Sequence, residues 1–183
     1  MYETIIKENF LEEQNYNIIK SSLSTLNYTM NPSAKKDEYS TLHSYTIRQD
    51  YENIELINKL NDLSVDYIEK TYQVKVKFFV GNCIVKYDLG RYIGNHKDWE
   101  PTDEWVLIHK KDPVHISSVY YFNDDYEGGD ILFHEKTDTD DYIYRIKPKA
   151  NSVIFFDALQ RHSTIPITSG IKYSFTNFYT LEQ

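Results

Sequence analysis

Two histidines and one aspartate carry the strongest chemical signal in this chain. His96 and Asp98 are separated by a single residue, and His162 follows much later in the sequence. Two imidazoles and one carboxylate hold a non-haem Fe(II) ion from one side and leave three coordination positions open. A His-x-Asp pair is common by chance, and an isolated His162 would first be interpreted as a structural histidine. The interpretation of these three residues as a metal site is strengthened by Lys172, which follows His162 by ten residues.

Lys172 lies in a stretch that alternates as a β-strand does. Lys172, Ser174 and Thr176 are predicted to share one face, because side chains at i and i+2 point to the same side of a strand. If this face is the interior of the protein, the buried ammonium needs an anionic partner. The alternative is a lysine at a strand end that extends its charge into solvent. The sequence leaves both interpretations open.

The elements that must position these residues begin with two predicted helices. Residues 9–26 and 51–72 both repeat apolar residues at the helical period. The buried face of the second helix is predicted to consist of Ile57, Leu60, Ser64 and Ile68. Between the helices, residues 27–41 are rich in turn-forming residues and lack a period. This long segment is predicted to be a loop, either a lid over a binding site or a surface loop without a role.

Beyond residue 72 the apolar period changes from 3.6 to 2, which predicts strands. The predicted strands are residues 74–80, 83–87, 105–109, 114–122, 130–135, 142–147, 152–156 and 171–180. Short strands that follow two helices predict a mainly β protein, a sandwich or a jelly roll with the helices packed on the outside of one sheet. We find no repeat and no linker. Residues 1–183 are therefore expected to form one domain, with a helical part at about 1–72 and a β-core at about 73–183.

Composition and charge narrow the class of protein. The chain has 183 residues, 15% of them aromatic, and a formal net charge of −8. Such an acidic chain is not expected to bind nucleic acid, because phosphate-backbone binders need clustered Lys and Arg. Cys83 is the only cysteine, so an intrachain disulfide is not possible. Neither a signal peptide nor a membrane span is recognisable, so we expect a cytoplasmic protein. Its oligomeric state stays open.

Two further stretches resemble the prolyl 4-hydroxylase branch of the Fe(II)/2-oxoglutarate oxygenases. Residues 120–130, YYFNDDYEGGD, are similar to a family stretch Tyr-Leu-Asn-Asp-x-x-Glu-Gly-Gly. Residues 166–172, PITSGIK, are similar to its Pro-Val-x-x-Gly-x-Arg/Lys stretch. Family members also pair a His-x-Asp with a distal His and place a basic residue about ten positions later. The resemblance covers about residues 80–180 and implies a double-stranded β-helix, the cupin-like form of the jelly roll.

The resemblance implies a role for each candidate residue. The two histidines and the aspartate would be the metal ligands and the catalytic centre. Lys172 and Ser174 would bind the distal carboxylate of 2-oxoglutarate. Tyr87 and Tyr92 resemble tyrosines that line the cosubstrate pocket in relatives, although the spacing from Tyr92 to His96 is one residue longer here.

The resemblance also implies a reaction that uses Fe(II), 2-oxoglutarate as cosubstrate and ascorbate as reductant. An aliphatic C–H bond would be hydroxylated with release of succinate and CO₂, most simply on a prolyl residue of a peptide or protein. Oxygenases acting on a free amino acid or another small molecule, and a non-catalytic β-sandwich binding module, stay open as alternatives. A nucleic-acid demethylase is disfavoured, because residues 163–183 contain no Arg. The roles of His115 and Trp99 are left open.

Overall fold

A computed structural model describes residues 2–30, 43–100, 113–135 and 142–182, and within these ranges the chain is mainly β. The strands are β1 Ile5–Glu8, β2 Thr29–Met30, β3 His43–Thr46, β4 Val76–Tyr87, β5 Ile116–Tyr121, β6 Ile131–His134, β7 Tyr144–Ile146, β8 Ser152–Asp157, β9 Arg161–Thr164 and β10 Lys172–Leu181. The helices are α1 Glu13–Ser22, followed by a 3-10 turn at Leu23–Thr25, and α2 Ile54–Tyr72. None of the helices in the described ranges is long and apolar enough to cross a membrane.

The described strands form two antiparallel sheets. The main sheet has seven strands in the order β1-β8-β5-β10-β4-β3-β2, and a smaller sheet has three in the order β7-β6-β9. One apolar core contains residues of both helices and of the main sheet, and a second contains residues of β5, β6 and β8 between the sheets. This is the predicted jelly roll with helices on the outside of one sheet, and the fold class is confirmed.

Strand β5 shows how one strand serves both cores. Ile116 and Tyr120 belong to the core beneath the helices, whereas Tyr121 belongs to the core between the sheets and Val119 packs against it. The period of 2 then assigns Ser117 to the side of Val119 and Tyr121. We call the side of the main sheet that faces the helices the helix face, and the side that faces the smaller sheet the inner face.

The second helix agrees with its sequence pattern, but the first is shorter than predicted. In α2, the buried residues are those of the predicted face, Ile57, Leu60, Ser64 and Ile68. The prediction that α1 begins at residue 9 is wrong. Asn9 has a positive φ of 50°, the Phe10 amide donates to the Asn151 carbonyl and the Leu11 amide donates to the Asn151 side chain. These bonds to a distant residue keep the backbone out of the helical conformation until the helix starts at Glu13.

The strands differ from prediction in three places. β1, β2 and β3 were not predicted, because they are short, and β1 leaves most of its residues exposed and so carries no alternation. β4 is one continuous strand where two were predicted, and it pairs with β10 through register shifts on either side of Phe178. β9 carries His162 within a strand, although no strand was predicted between residues 156 and 171. The predicted strand 105–109, the segment 136–141 between two predicted strands, and most of the predicted loop 27–41 lie outside the described residues.

Candidate metal centre

Two backbone hydrogen bonds bring the distant histidines together. The His96 amide donates to the His162 carbonyl at 3.0 Å, and the His162 amide donates to the His96 carbonyl at 2.9 Å. This isolated antiparallel bridge places the two imidazole rings 4.2 Å apart. His96 therefore takes its position from the bridge to β9, since the preceding described strand, β4, already ends at Tyr87.

The side chains of the three residues converge. The Asp98 Oδ1 atom lies 3.4 Å from His96 Nε2 and 3.7 Å from His162 Nε2, and one ligand atom from each residue falls within 4.8 Å of the others. His96 Nδ1 donates to the Gly94 carbonyl at 2.9 Å, and His162 Nδ1 donates to the Gln160 carbonyl at 3.0 Å. Because a carbonyl can only accept, each Nδ1 carries the proton and each Nε2 keeps its lone pair.

Electrostatics favour the protonation states that a metal needs. Burial lowers the pKa of His162 to about 4, and the neighbouring His96 lowers it further than Asp98 raises it. His162 is therefore neutral at pH 7 and able to donate its lone pair. Burial raises the pKa of Asp98, but His162 and His96 together outweigh burial and hold the pKa below its ordinary value. The carboxylate is thus ionised near neutral pH.

The donor set fits a divalent transition metal. Two imidazole nitrogens and one carboxylate oxygen suit Fe(II), Mn(II), Co(II) or Zn(II), and the 2-His-1-carboxylate combination is typical of non-haem Fe(II) oxygenases. The Asp98 Oδ1 atom faces both histidines, at 3.4 and 3.7 Å from their Nε2 atoms, so that one oxygen and two nitrogens converge on one point. We therefore find that these residues fit the metal that the sequence predicts.

A cavity of about 50 Å³ begins at these side chains and extends along the inner face. Its walls are Tyr87, Ile93, His96, Asp98, Val119, Tyr121, Ile131, His162, Thr164, Lys172 and Thr176. Both ends of the predicted site, the metal ligands and the basic residue, thus border one space. The sequence did not predict five of these wall residues, Ile93, Val119, Tyr121, Ile131 and Thr164. The period of 2 in the predicted strand 114–122 places Val119 and Tyr121 on one side, but the sequence does not tell which side faces the cavity.

Lys172 lines this cavity and is buried, with 1% of its surface exposed. Its Nζ donates to the Gly129 carbonyl at 2.8 Å and lies 4.6 Å from the ring centre of Tyr87 and 5.1 Å from that of Tyr121. The alternative of a lysine that extends into solvent is therefore wrong. Burial lowers the pKa of Lys172 to about 7, although Asp130 acts in the opposite direction. An anionic ligand in the cavity would restore the charged form.

Two tightly joined loops hold the carbonyl that Lys172 contacts. Gly128 has a φ of +80°, and a Cβ atom there would lie 2.1 Å from the Pro166 carbonyl oxygen, so no other residue fits. The Gly129 amide donates to the Ile165 carbonyl at 3.1 Å. The Glu-Gly-Gly stretch identified in the sequence therefore acts as a close backbone contact that points the Gly129 carbonyl at Lys172.

The other predicted cosubstrate residues fall into two groups. Ser174 is fully buried on the inner face, and its Oγ has no hydrogen-bond partner. Tyr87 is buried beside Lys172, and burial raises the pKa of its phenol. Tyr92, in contrast, has 37% of its surface exposed and is not among the residues that line the cavity. The structure brings Ser174 and Tyr87 to Lys172 and leaves Tyr92 on the surface.

The two residues whose roles the sequence left open make backbone contacts. His115 Nδ1 accepts a hydrogen bond from the Leu181 amide at 3.2 Å, which ties the start of β5 to the end of β10. The Trp99 amide donates to the Ala158 carbonyl at 3.2 Å. Neither residue lines the cavity. Among the described contacts, His115 thus has a structural role.

Comparison with known proteins agrees with this geometry. A sequence model of the 2OG-Fe(II) oxygenase superfamily matches residues 83–180, which is more than half of the chain and includes every residue of the candidate centre. No curated protein sequence matches the chain significantly.

Solved structures share the fold at low sequence identity. The viral collagen prolyl hydroxylase of Paramecium Bursaria Chlorella virus-1, in complex with 2OG, is 16% identical with a TM-score of 0.68, over 97% of this chain and 96% of that one. A Pseudomonas putida prolyl-4-hydroxylase is 14% identical with a TM-score of 0.68, over 98% and 93%. A Trichoplax adhaerens prolyl hydroxylase, in complex with a hypoxia inducible factor peptide fragment, is 15% identical with a TM-score of 0.72, over 97% and 83%. Identities this low show a common fold alone.

Proposed function

The chain belongs to the 2OG-Fe(II) oxygenase superfamily, and we propose that it is a dioxygenase that hydroxylates a prolyl residue of a peptide or protein. Fe(II) and 2-oxoglutarate are the proposed cofactor and cosubstrate, succinate and CO₂ the coproducts, and ascorbate the reductant. The observation that carries the proposal is the cavity that joins the His-Asp-His cluster to the buried Lys172.

His96, Asp98 and His162 are the proposed metal ligands. The Nδ1 bonds to backbone carbonyls orient both imidazoles and keep each Nε2 available as a ligand. When bound, Fe(II) and 2-oxoglutarate supply the oxidising chemistry, in which decarboxylation of the cosubstrate accompanies transfer of an oxygen atom into a C–H bond. The protein excludes water, since the Asp98 and His162 side chains are only 8% and 7% exposed.

Lys172 is proposed to bind the distal carboxylate of the cosubstrate. An ammonium in a buried, aromatic-lined site pairs strongly with a carboxylate, because few waters compete. The Ser174 hydroxyl, which has no hydrogen-bond partner in this structure, is proposed to donate a hydrogen bond to the same carboxylate. Tyr87 lines the cavity and is proposed as a further cosubstrate contact. The resemblance implies the same role for Tyr92, which is exposed and does not line the cavity.

The prolyl substrate is the finer part of the proposal. Its support is the resemblance of residues 120–130 and 166–172 to the prolyl 4-hydroxylase branch, together with the fold shared with three prolyl hydroxylases. A proline-rich segment already favours an extended polyproline II form, so that binding it costs little ordering entropy. A free amino acid as substrate is the alternative that the test must separate.

The test is mass spectrometry of proline-containing peptides incubated with the protein, Fe(II), ascorbate and 2-oxoglutarate. The expected result is the gain of one oxygen atom per modified peptide, with a matching release of succinate. Asp98→Ala is the control and should give neither product. If free amino acids stimulate succinate release and no peptide gains oxygen, the prolyl substrate is wrong and the oxygenase activity stands. If neither substrate class is oxidised and 2-oxoglutarate is not consumed, the activity itself is wrong.

A further inference from the structure

Two buried oxygen atoms at the candidate centre lack hydrogen-bond partners. The Asp98 Oδ2 atom and the Ser117 Oγ atom are both inaccessible to solvent and both unpaired. Ser117 itself is fully buried in β5. Buried polar groups in folded proteins nearly always have a partner, so an unpaired acceptor and an unpaired donor in one region point to a contact that forms on ligand binding.

The two groups are neighbours. Ser117 shares the inner face of β5 with Val119 and Tyr121, and both of these residues line the cavity together with Asp98. Burial raises the pKa of Asp98, and the Ser117 hydroxyl is among the groups that lower it, after the two histidines. The serine is therefore a neighbour of the carboxylate, although the two atoms do not form a hydrogen bond of good geometry in this structure.

We infer that Ser117 is a positioning residue that donates a hydrogen bond to Asp98 Oδ2 when Asp98 Oδ1 binds the metal. The inference rests on the proposed function, because it requires the metal at the His-Asp-His cluster. Oδ1 is the oxygen that faces both histidines, at 3.4 and 3.7 Å from their Nε2 atoms. Oδ2 is thus left for a donor from the sheet, and Ser117 is the buried hydroxyl beside it.

A hydrogen bond from Ser117 to Oδ2 would make Asp98 bind the metal through Oδ1 alone. A carboxylate with two free oxygens can bind a metal in bidentate fashion and occupy a second position. A facial triad needs three positions open, which requires one-oxygen binding by its aspartate. A donor to Oδ2 stabilises that mode, and partners of this kind typically change metal affinity by about 10- to 100-fold.

Ser118 supplies a matched control on the same strand. It is the next residue, it is also a buried serine with 2% of its surface exposed, and its hydroxyl contacts the Tyr179 hydroxyl at 3.2 Å on the helix face. Ser118→Ala removes the same group from the same strand on the opposite side. Both alanine variants should fold, since each loses a single oxygen atom.

The experiment uses Mn(II) alone, because its electron paramagnetic resonance signal reports free ion and bound water. Ser117→Ala should bind Mn(II) about 10- to 100-fold more weakly than wild type. The broadening caused by ¹⁷O-labelled water should show fewer bound waters in this variant, because the aspartate takes up a second position. Ser117→Thr restores the hydroxyl and should recover both values, and Ser118→Ala should match wild type within about twofold, the sign of a site that acts independently.

Three results would overturn the inference. The first is Mn(II) affinity and water count in Ser117→Ala equal to wild type. The second is a Ser117→Thr variant that behaves as Ser117→Ala, since packing and not the hydroxyl would then be responsible. The third is an equal effect of Ser118→Ala. Failure of the proposed function has a different signature, in which wild type binds no Mn(II) or His96→Ala binds it equally well.

Discussion

The two faces of the main sheet differ in whether their buried hydroxyl groups have hydrogen-bond partners. On the helix face, the Ser118 hydroxyl contacts Tyr179, and the Tyr120 hydroxyl donates to the Asn151 side chain at 2.6 Å. On the inner face, the neighbouring Ser117 hydroxyl has no hydrogen-bond partner. One strand thus carries adjacent serines that differ only in the side of the sheet to which they point.

Under the proposed function, this difference separates residues that stabilise the fold from residues that bind a metal or an anion. The inner face carries the unpaired Ser174 hydroxyl, the unpaired Asp98 oxygen and the buried Lys172 ammonium. Each of these groups is costly in an empty cavity and favourable beside a metal or an anion. The helix face has one comparable group, Asn177 Oδ1, among the described residues. On this interpretation, the unpaired buried groups around the cavity lower the stability of the ligand-free protein, and ligand binding would restore it.

The strongest test of this contrast removes the candidate ligands. His96→Ala and His162→Ala are each expected to reduce Fe(II)-dependent consumption of 2-oxoglutarate below detection, because two protein ligands hold the metal poorly. Asp98→Ala should be nearly as severe, since it removes the anionic member of the three. Circular dichroism should show that all three variants keep the fold. Metal binding that survives loss of both histidines, measured by calorimetry, would contradict the assignment.

The converse change on the helix face should affect stability and leave the site intact. Phe155 is fully buried in the core beneath the helices. Phe155→Ala should lower the free energy of unfolding by about 3–5 kcal/mol, from lost transfer energy and the cavity that remains. Urea titration measures this loss, and metal affinity per folded molecule should stay at the wild-type value. A large change in metal affinity would show that the two faces are not independent.

Lys172 should sharpen the contrast, because its substitution affects one ligand and not the other. Lys172→Ala is expected to weaken 2-oxoglutarate binding by about 2–5 kcal/mol, or roughly 30- to several-thousand-fold. Lys172→Arg should keep part of the affinity, because the charge survives with a different geometry. Calorimetric titration measures both. Unchanged 2-oxoglutarate affinity in Lys172→Ala, or an equal loss of metal affinity, would refute a dedicated anion-binding lysine.

The smallest expected effect is a pH dependence of stability. Burial lowers the pKa of Lys172 from 10.5 to about 7, so above pH 7 the folded chain releases a proton that the unfolded chain keeps. The cost of burying Lys172 is therefore fully present below pH 7 and declines as the pH rises towards 10.5. Between pH 7 and 9 the ligand-free protein should gain about 1 kcal/mol per pH unit from this group.

Lys172→Met is the matched variant for this measurement, since it keeps the length of the side chain and cannot titrate. Its unfolding free energy, from urea titrations at several pH values, should rise less steeply between pH 7 and 9 than that of wild type. Parallel curves for the two proteins would show that Lys172 keeps its ordinary pKa in the folded state. The ligand-free protein is needed, because a bound carboxylate would hold Lys172 in its charged form.

The sequence predicts the inner face best where its alternation is regular. Lys172 and Thr176 line the cavity, and Ser174 is buried between them on β10, as the period of 2 required. The fold class and the superfamily are confirmed, because they depend on many strands and on motifs that span much of the chain. The roles of the metal ligands stay predictions, although the structure brings the three side chains together.

The remaining features depend on information that residue types do not carry. Ser117 and Ser118 are identical and adjacent, so only the register of β5 against its neighbours tells which one faces the cavity. Tyr92 lies in a segment without a period, and its spacing gave no indication that it would be exposed. The start of α1 is determined by Asn151, a residue more than a hundred positions away, whose bonds to the backbone no local pattern reveals.

The position of β10 within the main sheet has a consequence for how the protein is made. β10 lies between β5 and β4, yet it is the last of the described strands to be synthesised. β1 is synthesised early, but it cannot pair until β8 has been made, because Ile5 pairs with Phe155 on β8. Pairing between segments so far apart is slow, since the entropy of closing a long loop is lost before the contacts compensate for it. A chain stalled on the ribosome before residue 172 therefore lacks both the central strand and Lys172, and exposes strand edges on β4 and β5 that favour aggregation.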